Sequence, residues 1–103
     1  MIEFSQGDIV KIEGYRNCLF VIISKNAFIM ATGMFHVCPL LPDVPEGPVH
    51  ISVCGNKGTS GTVICEQIKA IDSKARNCVV VDTLPYGFKI DVSDTVQGVF
   101  EYD

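Results

Sequence analysis

Hydrophobic and polar positions along this chain alternate in short runs that are repeatedly cut by turn residues. Over Asp8–Glu13, Ile9 and Lys11 alternate with Val10 and Ile12, which predicts a half-buried strand entered from Gly7-Asp8. Gly14-Tyr15-Arg16-Asn17 reads as a turn. Cys18–Ile23 is a continuous apolar run of β-branched and aromatic types, the pattern of a central strand buried on both faces. Ser24 is placed to cap one or two helical turns over Lys25–Ala31, with Gly33 as the left-handed residue that ends them.

Met34–Leu40 predicts the next strand, with Pro39 near its end, where a missing donor is tolerated. The prolines of Leu41–Pro48 fix φ and remove donors, so that stretch is a loop. In Val49–Val53 the odd positions are apolar, so Val49, Ile51 and Val53 face inward while His50 and Ser52 face outward. Gly55–Gly61 is a glycine-rich loop, and Thr62–Cys65 and Cys78–Val81 are further apolar strands. Asp91 is placed to cap a C-terminal helix with Val92, Val96, Val99 and Phe100 on one face; Gly98 within it costs about 1 kcal/mol relative to Ala. Six short strands with one or two short helices predict a mainly β protein, a small and strongly bent sheet or barrel.

Length adds that the 103 residues form a single domain. No apolar run is long enough to span a bilayer, and the start Met1–Ser5 lacks the basic and apolar regions of a signal peptide, so the expected location is the cytoplasm, with no membrane contact. The net charge of −4 argues against nucleic-acid binding by bulk electrostatics; the one local concentration of cations is Lys69, Lys74 and Arg76. Cys18, Cys38, Cys54, Cys65 and Cys78 contain no Cys-x-x-Cys pair and neither histidine stands at zinc-finger spacing from them, so no metal site is expected and the cysteines read as small hydrophobes in a reducing compartment.

The segment with most chemistry is Glu66-Gln67-Ile68-Lys69-Ala70-Ile71-Asp72, closing with Ala75-Arg76. It resembles the acid-Gln-apolar-basic segment of the MazF/PemK-like toxins. Gly7–Val10, the apolar run Leu19–Ser24, Thr32-Gly33, Val37-Cys38-Pro39 and Gly58–Val63 match further pieces in order, covering about Gly7 to Arg76. The resemblance implies an SH3-like barrel with a C-terminal helix and a homodimer. It also implies a small antitoxin protein as partner and metal-independent cleavage of single-stranded RNA without a cofactor. Such cleavage needs a base for the 2′-hydroxyl, an acid for the leaving 5′-oxygen and cations for the phosphoryl charge.

On that resemblance Arg16 and Glu66 are the catalytic candidates, and Gln67, Lys69 and Arg76 the substrate-binding ones. Leu40-Leu41 stand where the family places a hydroxyl after Cys-Pro, and Ile64 where some members carry Arg, so the expected activity is that of a degenerate site. The alternative is a non-catalytic member of the same fold that binds protein or nucleic acid. Read from the residues alone, Glu66 is a base, an acid that orients Arg16, or a structural acid paired with a backbone donor or with Lys69. Arg16 is a phosphate clamp or a solvated turn cation. Lys69–Arg76 is an RNA or acidic-partner contact or a polar turn. His36 reads as a hydrogen-bonded structural histidine and His50 as an ordinary surface residue. The Gly55–Gly61 loop has the wrong order for a phosphate loop and precedes a strand, not a helix.

Overall fold

A computed structural model describes residues 3–101. The order of elements is β1 (Asp8–Ile12), β2 (Leu19–Ile22), α1 (Asn26–Thr32), β3 (Met34–Leu41), β4 (His50–Cys54), β5 (Ser60–Ile64), β6 (Lys69–Asp72), β7 (Cys78–Thr83) and α2 (Tyr86–Gly98). All strand pairs are antiparallel, in the order β4-β5-β3-β2-β1-β7, with β6 added beside β3.

β3 is the hub of this arrangement. One of its edges pairs with β2 through Leu19↔Leu40 to Ile22↔Val37. The other edge is divided: β6 takes Met34–Val37 and β5 takes Leu40–Leu41. Cys38 and Pro39 fall between these two partners, so the proline's missing N–H leaves no ladder bond unmade on that edge. Alternation along the strands then sorts the apolar residues into two clusters, one on each face. Ile9, Val21, Cys38, Leu40, Val63 and Val92 lie in one. Val10, Phe20, Ile22, Phe35, Val37 and Ile71 lie in the other.

The sheet bends until its ends meet at one corner. The loop after β4 sends the Asn56 N–H to the Thr83 carbonyl of β7 at 2.9 Å. Asp82, almost fully buried, accepts from Lys57 N–H at 3.0 and 3.1 Å, Thr59 N–H at 3.1 Å and Thr83 N–H at 2.7 Å. Burial by itself would raise the pKa of this carboxyl. The Thr59 side chain and the backbone donors outweigh that and bring it down to about 2.

Several expectations change. β6 is a seventh strand, in a segment whose polar residues hide its pairing with β3. β7 is an edge strand paired with β1 alone, and although its run is apolar, Val79 is 57% exposed. Ser24 does not cap α1, whose N-cap is Lys25 without a side-chain bond. Its hydroxyl instead sits 2.9 Å from His36 Nδ1 and accepts the His36 N–H at 2.7 Å, which fits the structural reading of that histidine. Gly33 does end α1, at φ 70 with its N–H on the Ile29 carbonyl. α2 begins at Tyr86, after Pro85, so Asp91 lies inside the helix and caps nothing. Val92 is buried and Val96 packs on the core, but Val99 and Phe100 lie beyond the helix, with Phe100 72% exposed. Among the described residues no helix is long and apolar enough to cross a membrane.

Candidate functional site

The β1–β2 turn carries Arg16 at an exposed position. Beside it Tyr15 is half-buried and packs edge-on against Phe20, with ring centroids 5.2 Å apart and planes at 76°. Two of the candidate substrate-binding cations converge on this ring. Lys69 Nζ lies 5.7 Å from its centroid and Arg76 Cζ 5.3 Å. Lys69 reaches it because β6 sets Lys69 opposite Val37, on the sheet face shared with Phe20. Arg76 comes from the β6–β7 turn and donates to the Glu13 carbonyl at 3.3 Å, while Asn77 Nδ2 donates to the Glu13 carboxylate at 3.3 Å. The β1–β2 turn is thus gripped by the segment that the sequence marked as chemically dense. An open groove of about 650 Å³ runs beside it, lined among others by Lys11, Tyr15, Arg16, Cys18 and Asn77.

Glu66 stands just past the end of β5. Its carboxylate accepts from His50 Nε2 at 2.7 and 3.1 Å, with the two side chains 33% and 35% exposed. Among the described residues no lysine or arginine lies within ion-pair range of a carboxylate, so Glu66 meets neither Arg16 nor Lys69 at that range. The pairing follows from register: His50 of β4 is opposite Ile64 of β5, and Glu66 lies two residues further on. His50 is the residue that sequence reasoning missed. Alternation showed that it faces outward, but no local signal names a partner sixteen positions away. Gln67 is exposed between Glu66 and β6, and its N–H closes the turn onto the Ile64 carbonyl at 3.1 Å.

The positions where the resemblance implies a hydroxyl and a guanidinium group are occupied by apolar side chains. Leu40 and Ile64 are buried in the sheet, and Leu41 is half-buried opposite Thr62. Thr62 cannot stand in, because its hydroxyl is buried and donates to the Val44 carbonyl at 2.6 Å. Nor do the buried thiols of Cys38 and Cys65 offer a nucleophile. Burial pushes Cys38 up to about 12 and Cys65 up to about 11, with the Glu66 charge adding to both. Burial also raises Cys18, opposed only in part by Lys69.

No curated protein matches the chain. Solved structures do. A MazE–MazF complex from Deinococcus radiodurans superposes with a TM-score of 0.84 at 16% identity, covering 100% of both chains. A second crystal form gives 0.82 at 17% identity, covering 96% of this chain and 97% of that one. An endoribonuclease in complex with its cognate antitoxin from Mycobacterial species gives 0.76 at 16% identity, covering 97% and 99%. At such identities the likeness establishes the fold. The family model for the PemK-like, MazF-like toxin of type II toxin–antitoxin systems matches residues 3–100, nearly the whole chain, and this chain belongs to that family.

Proposed function

We propose that this toxin-family chain is a metal-independent endoribonuclease acting on single-stranded RNA, working as a cytoplasmic homodimer and restrained by a small antitoxin protein. The observation that carries the reading is the His50–Glu66 pair at the head of the acid-Gln segment. With Nε2–H donating to Glu66, the lone pair of His50 is on Nδ1, free to take the proton of a ribose 2′-hydroxyl. The 2′-oxygen then bonds to the adjacent phosphorus and the bond from phosphorus to the 5′-oxygen breaks. The proton held on His50 passes to that leaving oxygen, giving a 2′,3′-cyclic phosphate and a 5′-hydroxyl. Glu66 orients the imidazole and stabilises its protonated form, as an acid does beside a catalytic histidine. Arg16, Lys69 and Arg76 supply positive charge for the phosphoryl oxygens, and the Gln67 amide offers a donor and an acceptor to a base edge. The likeness to an endoribonuclease solved in complex with its cognate antitoxin supports both the partner and the reaction class.

A second reading, a non-catalytic module that binds protein or nucleic acid, is favoured by one specific observation. Leu40 and Ile64 are buried where phosphate contacts would be, and the Thr62 hydroxyl is already committed. The two readings separate on incubation of the protein with long mixed-sequence RNA in EDTA, beside Glu66→Gln, His50→Gln and Arg16→Ala. Cleavage by the wild type, reduced about 10²–10⁴-fold in His50→Gln, is the expected result. Absence of cleavage at high protein concentration, with RNA or antitoxin binding retained, selects the module.

A further inference from the structure

Tyr15 is given no part in the cleavage chemistry proposed above, yet among the described residues its ring alone lies within cation–π range of both Lys69 and Arg76. Its ring is held from below by Phe20, which is buried in the sheet. Its backbone N–H is held by the Ile12 carbonyl at 3.1 Å. Among the described residues its hydroxyl makes no hydrogen bond, while its ring contacts Phe20 and both cations. Lys69 and Arg76 come from a strand and from the turn that follows it, and both are long and exposed. Without a common partner such side chains sample many rotamers, and ordering them opposes the binding of any ligand they must grip. Each lies within cation–π range of the same ring, and Arg76 adds its bond to Glu13.

We propose that Tyr15 is a positioning residue: its ring holds Lys69 of β6 and Arg76 of the β6–β7 turn together, so that the two cations meet a polyanion as one preorganised edge. The inference rests on the reading of this face as an RNA-contacting surface, and goes beyond it by assigning the arrangement of the cations to an aromatic residue. The chain carries a net charge of −4, so bulk attraction to a polyanion is unfavourable and local arrangement matters more than in a basic protein.

The test uses the full chain and a series at position 15: Tyr15→Phe, then mono-, di- and trifluorophenylalanine introduced at that site, and Tyr15→Leu. Fluorination drains the negative face of the ring while nearly preserving its shape, so the series stays folded even if Tyr15→Leu does not. The probes are a single-stranded RNA oligonucleotide and inorganic tripolyphosphate, each titrated from low to moderate salt. Tyr15→Phe should bind within about twofold of wild type. Affinity should fall stepwise with fluorination and about tenfold in Tyr15→Leu. The slope of log K against log salt should become shallower by roughly the 0.7 expected for one lost single-strand phosphate contact. A merely structural ring would leave that slope unchanged, so an unchanged slope, or affinities that stay flat across the fluorinated series, overturns the proposal. If wild type binds tripolyphosphate along the expected series but not RNA, the positioning role stands and the RNA reading falls. If wild type binds neither, both fall.

Discussion

The corner where the sheet closes on itself yields a sharp prediction for Gly55→Ala. Gly55 has no positive φ, so its backbone accepts alanine without strain. The space does not. A Cβ built there would lie 2.6 Å from Asp82 Cγ and 3.0 Å from Oδ1. An exposed carboxylate would swing away at little cost. Asp82 is nearly inaccessible and anchored by the N–H groups of Lys57, Thr59 and Thr83, so any shift lengthens several bonds at once. A hydrogen bond to a charged group contributes about 1.5–3 kcal/mol. Losing the Lys57 and Thr59 donors, with part of the loss offset by water at this surface loop, destabilises the fold by about 2–4 kcal/mol. For a domain of this size that corresponds to a Tm roughly 10–30 °C lower, measurable by circular dichroism or calorimetry. Because Gly55→Ala and Asp82→Ala damage the same clamp, the double variant should be little worse than the more damaging single one. A Tm within 3 °C of wild type for Gly55→Ala, or full additivity in the double variant, would refute the reasoning.

The same carboxylate sets a pH dependence. Its pKa is about 2 in the fold against 3.8 for an unperturbed aspartate, so its contribution is fully present above about pH 4 and is lost as pH falls through 2; Asp82→Asn should flatten denaturant-measured stability over that window. Phe35, fully buried with its ring tilted against that of Phe4 at 5.1 Å between centroids, should cost about 3–5 kcal/mol on replacement by Ala in urea melts. Gly87→Ala meets open space inside α2, so it should stabilise by about 0.5–1 kcal/mol in the same assay. Mass spectrometry after brief iodoacetamide treatment at pH 8 should find Cys54 alkylated. Cys38 and Cys65 should stay unmodified until the protein unfolds, because burial keeps them protonated and shielded.

Strand periodicity made most of the fold legible. The runs at Asp8–Glu13, Cys18–Ile23, Met34–Leu40, Val49–Val53 and Thr62–Cys65 all became strands, because alternation or continuous apolarity follows directly from which faces are buried. The resemblance carried by Glu66–Arg76 identified the family, since residue order survives in the chain whatever the neighbours do. Helix boundaries were less legible. Tyr86–Ile90 contains two aromatics and a glycine, so its helicity comes from packing of the helix on the core through Phe88, Val92 and Val96 rather than from propensity.

What the tertiary structure alone decided is pairing between distant segments. Lys69–Asp72 has only one buried residue, Ile71, and reads as a turn; it becomes β6 because β3 offers half an unpaired edge there. Register then brings Glu66 to His50 and Lys69 to Tyr15, contacts that depend on which residues fall opposite one another across strands. Sequence determines the type and face of each residue because those follow from local spacing. Partners sixteen or more positions apart are settled only when the sheet has formed, and in this chain the candidate site is made almost entirely of such partners.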